Sequence, residues 1–129
     1  KVTSIGADSI WKYAALAMFY ALVHSLLEEY YWRWFVFDLL RTLMSAWKAN
    51  VVSSLGFMAH HVVLLGFFLG FDSILTYLFA CAVAIGGSFW AWLYAREDGL
   101  ISPWISHLIV DAAIFTLGFF LIRETVFQV

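Results

Sequence analysis

The sequence has little charge, one cysteine and one proline. Charged residues make up 12% of the 129 residues, the net charge is −2, and Lys and Arg form no cluster. A nucleic-acid-binding protein is excluded, because such proteins use clusters of Lys and Arg to bind the phosphates of the nucleic-acid backbone. The lone Cys81 allows neither an internal disulfide nor a cysteine cage for a metal. Because Pro103 is the only proline, there is no proline-rich linker, and we expect one domain over residues 1–129. The sequence starts at Lys1, which leaves open whether the chain is a segment of a longer protein.

Hydrophobic residues, in contrast, are abundant. They make up 64% of the chain, and the mean hydropathy is +0.89. Soluble domains have about 45–50% apolar residues, and a chain this short cannot bury the excess in one core. A soluble monomer and a disordered chain are therefore excluded, and the composition predicts a polytopic membrane protein.

Four apolar stretches are long enough to cross a bilayer, which takes about 20 residues per helix. Each is expected to be a helix, because a lone segment in lipid must satisfy its backbone groups internally. The predicted fold class is thus all-α, a polytopic bundle of about four transmembrane helices around a polar pocket. We expect the aromatic-rich residues 28–50 partly to extend the first helix and partly to lie along the membrane surface. The stretches are Ile10–Leu27, Val51–Phe71, Ile74–Tyr94 and Leu100–Ile122.

Ionisable residues within the stretches are few, and such residues are costly in lipid and candidates for function. Glu28 lies at the end of the first stretch, His61 ten residues into the second and His107 seven residues into the fourth. At 1.5 Å per residue, the histidines lie about 15 and 10 Å below one membrane face. We therefore expect a pocket that opens on this face. The face carries four Lys and Arg residues against three opposite, which favours the cytoplasmic side.

Helical spacing brings polar residues into pairs, because residues four apart share a helix face. Glu29 and Arg33 are expected to form an ion pair. Glu28 is turned about 100° from Glu29 and is expected to face the bundle. His60, turned likewise from His61, is interpreted as a hydrogen-bonded core residue that faces another helix. The pairs with this spacing are Glu29 with Arg33, Phe57 with His61, and His107 with Asp111.

Three short motifs carry these residues in order along the chain. Glu28-Glu29-Tyr-Tyr-Trp-Arg33 resembles EExxxR, Phe57-Met-Ala-His-His61 resembles FxxxH, and His107-Leu-Ile-Val-Asp111 resembles HxxxN/D. Together they resemble the CAAX protease and bacteriocin-processing family, the type II CAAX prenyl endopeptidase-like intramembrane proteases. Each motif alone is weak evidence, whereas three in order with suitable spacing are specific.

The resemblance implies an intramembrane endopeptidase that attacks a peptide bond with an activated water. It implies that Glu28 is the general base, that His61 positions the water, and that His107 and Asp111 stabilise the oxyanion. No cofactor is expected. The expected partners are the lipid bilayer and a peptide or protein substrate that is prenylated or membrane-inserted. The residues expected to support the catalytic set by pairing or packing are Glu29, Arg33 and Phe57.

The sequence departs from the family pattern at Asp111, where many members have Asn, and in the additional His60. An ionised Asp accepts hydrogen bonds and does not donate them. It either orients or charges His107, which then donates to the oxyanion, or it stays protonated. Glu28, His61 and His107 also have side chains that bind zinc, so a metalloprotease is the alternative to a metal-free reaction, although no HExxH motif is present.

Two other functions stay open. A catalytically silent family member would keep the pocket and bind a membrane partner. A bundle with histidines at similar depth on two helices could instead hold a haem or a metal. For the protease, the breadth of the family implies a bacterial inner membrane. A prenylated tail, a bacteriocin leader and an unrelated membrane protein are the substrates it leaves open.

Overall fold

The computed structural model describes residues 9–127, and every regular element in this range is a helix. Four helices are long and apolar enough to cross a membrane: α1 (Ile10–Leu43), α2 (Ala46–Leu69), α3 (Ile74–Glu97) and α4 (Ile101–Ile122). Large apolar side chains are exposed along all four, as expected of surfaces that face lipid. The protein is therefore an integral, multi-pass membrane protein, and the predicted all-α class is confirmed.

Helix α1 extends well beyond the predicted first stretch, which ended at Leu27. It continues past Glu28, and only Met44 and Ser45 separate it from α2. Both joining residues have extended backbones, with ψ of 171° and 148°. The charges of Glu29 and Arg33 do not end the helix, because the two side chains pair inside the protein. Glu28 consequently lies near the middle of a helix of 34 residues.

Two π-helical segments interrupt α1. They are Phe19–His24 and Tyr30–Phe37, and they flank the α-helical residues Ser25–Glu29. π-Helical turns inside α-helices are rare and often occur at functional sites. The two adjacent glutamates of the first motif thus stand at the end of a short α-helical segment, immediately before the second π-helical segment.

The described residues form two compact units. The three-helix unit, Glu28–Pro103, contains the second part of α1 together with α2 and α3. The two-helix unit contains the described residues 9–27 and 104–127, which are the first part of α1, most of α4 and the π-helical turn Arg123–Phe127. The EExxxR and FxxxH motifs lie in the three-helix unit, and the HxxxD motif lies in the two-helix unit.

In the three-helix unit, α2 and α3 form an antiparallel hairpin. Gly70 ends α2 with a positive φ of 95°, which glycine adopts at no steric cost. Asn50 Nδ2 donates to the backbone oxygen of Ser88 at 3.0 Å and so links the two helices. The Tyr94 hydroxyl of α3 donates to Asp38 Oδ2 of α1 at 2.6 Å. Polar contacts therefore join α3 to both of the other helices.

In the two-helix unit, the contacts between helices are mainly aromatic. The Tyr13 hydroxyl donates to the backbone oxygen of Phe115 at 2.7 Å, and Trp104 Nε1 donates to that of Leu22 at 3.1 Å. Small and aromatic side chains of α1 and α4 line an apolar cavity of about 420 Å³. The two helices are thus joined by side chains that donate to backbone oxygens.

Candidate active site

A buried ion pair organises the three-helix unit. Arg33 Nε lies 3.0 Å from Glu29 Oε2, and the two side chains are 1% and 0% exposed. The guanidinium carbon of Arg33 lies 4.7 Å from the ring centre of Phe57 and 5.4 Å from that of Trp90. A desolvated cation over an aromatic ring gains about 2 kcal/mol. The ion pair predicted from the sequence is confirmed, and its arginine also contacts α2 and α3.

Gly87 of α3 provides the space for this arrangement. A Cβ atom built at this position would lie 3.0 Å from Phe57 Cδ1 and 3.6 Å from Arg33 Nη2. Phe57 is only 1% exposed, so its ring has little room to move away. Small residues at helix contacts allow such close approach in membrane proteins. The glycine therefore lets α3 approach the ring that stacks on Arg33.

Glu28 and His61 lie at the same level of the α1–α2 pair. Glu28 is fifteen residues before the end of α1 at Leu43, and His61 is fifteen residues after the start of α2 at Ala46. One possible ligand atom of each lies within 4.8 Å of the other, so the two side chains meet at one level of the pair. The predicted first stretch ended at Leu27, just before Glu28, whereas α1 continues to Leu43. The longer helix brings the carboxylate to the depth of the imidazole.

The imidazole of His61 is oriented by its own helix. Nδ1 lies 3.0 Å from the backbone oxygen of Phe57, one turn earlier. A carbonyl oxygen accepts hydrogen bonds and does not donate them, so we assign the ring proton to Nδ1. In the neutral ring, Nε2 then carries a lone pair that accepts a hydrogen bond or binds a cation.

The carboxylate of Glu28 is buried beside two histidines. The residue is 8% exposed, and its Oε1 lies 3.7 Å from His60 Nε2. One possible ligand atom from each of Glu28, His60 and His61 lies within 4.8 Å of the others. His60 does face another helix, but its side chain is 53% exposed, so its interpretation as a core residue was wrong. Its contact with Glu28 could not be predicted from the sequence. It depends on where α1 ends and α2 begins, which places both histidines beside Glu28.

The third motif forms a local pair in the two-helix unit. His107 Nε2 lies 3.6 Å from Asp111 Oδ1, one turn later on α4. His107 is 4% exposed, and the side chain of Asp111 is 18% exposed. The structure thus brings Glu28 and His61 together within one unit, and His107 and Asp111 together within the other.

A comparison with family models agrees with the motifs and with the helices. The model of the type II CAAX prenyl endopeptidase Rce1-like family matches residues 10–113, which include all three motifs. Among curated proteins and among solved structures, no significant match was found. Because the family match covers most of the chain, the chain belongs to the type II CAAX prenyl endopeptidase Rce1-like family, as a membrane-embedded protease of the CAAX type that acts on peptides or proteins.

Proposed function

We propose that the chain cleaves a peptide bond with a water molecule that Glu28 activates and His61 positions. The observation that supports this most directly is a buried carboxylate beside an imidazole whose Nδ1 bonds to the Phe57 carbonyl. Nε2 of that ring can accept one hydrogen of the water while Glu28 removes the other as a proton. The reaction uses side chains of this chain and no cofactor.

The proposed reaction proceeds in two steps. The water oxygen bonds to the carbonyl carbon as its proton passes to Glu28, which places a negative charge on the carbonyl oxygen. Glu28 then gives the proton to the leaving nitrogen as the C–N bond breaks. General acid–base catalysis of this kind contributes about 10²–10⁴-fold to a rate.

His107 and Asp111 act, in this proposal, at the carbonyl oxygen. A protonated His107 donates from both ring nitrogens, so Nδ1 is assigned as the donor to the oxyanion while Nε2 faces Asp111. Asp111 acts as an acceptor that orients the ring. An oxyanion donor contributes about 10²–10³-fold to kcat. The role requires an acceptor at position 111, which an Asn also provides.

Glu29, Arg33 and Phe57 are positioning residues in this proposal. Glu29 and Arg33 are fully buried and paired with each other, and the Phe57 ring covers the guanidinium group. These contacts connect α1 to α2 in the turn of helix that follows Glu28. These contacts thereby hold the Glu28 carboxylate at the same position along the helix pair as the His61 ring.

The proposed substrate is a peptide or protein tail, prenylated or inserted in the membrane, and the proposed location is a bacterial inner membrane with the site open to the cytoplasm. Arg33 is buried with Glu29, so three Lys and Arg residues remain on each face and their count does not decide the orientation. Labelling of single cysteines introduced at Ser45 and at Ser73, in a Cys81→Ser chain, tests the orientation. Cytoplasmic labelling at Ser45 alone supports it, and cytoplasmic labelling at Ser73 alone contradicts it.

The activity is tested with the purified full chain in liposomes. A quenched fluorescent peptide is offered with a farnesylated C-terminal tail and, separately, without the lipid. Glu28→Gln is expected to lower the cleavage rate by about 10²–10⁴-fold, because the amide cannot take the proton. His61→Ala is expected to lower it similarly, because the water loses its second acceptor.

Asp72→Asn is the matched control, since it changes an exposed carboxylate in the α2–α3 turn. It is expected to leave the rate unchanged. Cleavage by Glu28→Gln at the rate of the wild type contradicts the proposed base. Equal rates on both peptides contradict a requirement for the prenyl group.

A further inference from the structure

His60 lies beside Glu28, but it is not one of the residues that define the three motifs. FxxxH ends with His61, and the proposed reaction needs one imidazole on α2. His60 nevertheless brings Nε2 to 3.7 Å from Glu28 Oε1 within a helix apolar enough to span a membrane. A polar side chain in such a segment is costly, and a function is the default expectation for it.

Glu28, His60 and His61 together have the donor set of a zinc site. One candidate ligand atom of each lies within 4.8 Å of the others. Two imidazole nitrogens and one carboxylate oxygen, with a position left for water, form a recurrent three-ligand zinc set. Bonds of about 2 Å at tetrahedral angles place ligand atoms about 3.3 Å apart. Small rotations of these side chains therefore suffice to bring the three atoms onto one ion.

The orientation of His61 independently favours metal binding. Histidines that bind metals usually donate the other ring N–H to a carbonyl or a carboxylate, which fixes the ring and its tautomer. The Phe57 carbonyl, 3.0 Å from Nδ1, is such a partner and assigns the lone pair to Nε2.

We propose that Glu28, His60 and His61 form a binding site for one divalent ion of the zinc class, and that the bound ion inhibits peptide cleavage. The inhibition rests on the proposed function, because a carboxylate that coordinates a metal cannot accept a proton from water. The binding itself does not depend on that function. His60 makes this ligand set different from the set of Glu28, His61 and His107 expected from the sequence.

The binding is tested with cobalt, which absorbs visible light when four-coordinate and whose displacement by zinc is seen as loss of that absorption. Purified full chain in detergent is titrated with cobalt chloride and then with zinc chloride. The wild type is expected to bind one ion. His60→Gln is expected to bind at least about 10–100-fold more weakly, since loss of an outer-shell partner alone costs that much. Cys81→Ser, which changes an exposed residue outside the set, is expected to bind as the wild type does.

Cleavage of the farnesylated peptide is then measured with and without zinc. Zinc is expected to inhibit the wild type and to inhibit His60→Gln only at concentrations at least about 10-fold higher. No saturable cobalt binding by the wild type, or equal binding by His60→Gln, overturns the site. Activation by zinc overturns the inhibition. A chain that binds cobalt through His60 but cleaves no peptide refutes the proposed function and leaves the site established.

Discussion

The three-helix unit and the two-helix unit hold their ionisable residues in different ways. In the three-helix unit, Arg33 contacts Glu29 on its own helix, Phe57 on α2 and Trp90 on α3. In the two-helix unit, the histidine and aspartate of the third motif are one turn apart on α4. The hydrogen bonds described between its helices are donated by a tyrosine and a tryptophan side chain to backbone oxygens.

This difference shows two ways in which a charge is kept within membrane helices. A cation that is surrounded from three helices links those helices, so its loss disturbs the whole unit. A pair one turn apart orients a ring within its own helix. We therefore expect substitutions in the three-helix unit to change stability and activity together. Substitutions in the third motif should change activity with little loss of stability.

Replacing Arg33 by Leu is expected to have the largest effect on stability. Breaking a buried pair leaves the carboxylate of Glu29 buried without its cation, which costs about 3–5 kcal/mol. Unfolding of the chain in mixed micelles with increasing SDS, followed by circular dichroism, measures the loss. The double variant Glu29→Gln, Arg33→Leu is expected to recover most of it. A single variant as stable as the wild type would falsify the central place of this pair.

Gly87→Ala is expected to destabilise the same unit by about 1–3 kcal/mol, the usual cost of overpacking. The added methyl group would lie 3.0 Å from Phe57 Cδ1, against a ring that is packed on Arg33. Gly99→Ala is the matched control, because its Cβ would lie 3.8 Å from the nearest atom, which is ordinary contact. The control is expected to stay within about 0.5 kcal/mol. Equal stability of the two variants in the SDS assay contradicts close packing at Gly87.

Two tyrosine substitutions compare the units directly. Tyr94→Phe removes a 2.6 Å hydrogen bond to Asp38 in the three-helix unit and is expected to cost about 1.5 kcal/mol, because the acceptor is charged. Tyr13→Phe removes a 2.7 Å bond to a neutral backbone oxygen of the two-helix unit and is expected to cost about 0.6 kcal/mol, the average between membrane helices. The same SDS titration compares them, and a larger loss for Tyr13→Phe reverses the expected order.

Asp111→Asn is expected to have the smallest effect. Asn still offers an acceptor to His107, so we expect stability within about 0.5 kcal/mol of the wild type. Cleavage is expected to fall less than tenfold, while Asp111→Leu, which offers no acceptor, is expected to lose about 10²-fold, the lower range for an oxyanion donor. Rates on the farnesylated peptide decide between the roles. If Asn proves as damaging as Leu, the charge of Asp111 is required and the acceptor role is wrong.

Local spacing allowed several features to be predicted from the sequence. The ion pair of Glu29 with Arg33 follows from a separation of four residues, and so does the proximity of His107 and Asp111. The predicted third stretch began at Ile74, and α3 begins at that residue. These predictions hold because helix geometry fixes neighbours within a turn wherever the helix packs.

The end of α1 and the contacts of His60 could not be predicted in this way. A cluster of Glu and Arg after an apolar stretch normally indicates the membrane surface, because charges are costly in lipid. Here Phe57 and Trp90 come from distant parts of the sequence and surround the guanidinium of Arg33. This long-range packing determines where along α1 Glu28 lies. The position of Glu28 in turn determines that His60 faces its carboxylate.

The sequence by itself determined the membrane location, the four helices and the residues that share a helix face, because composition and the helical period are local properties. The three motifs and their order also identified the family. Only the tertiary structure decided that Glu28 lies inside a long helix, level with His61 and beside His60. The physical reason is that a charged residue stays within a membrane helix only when side chains of other helices surround it. The linear sequence does not show which helices pack together.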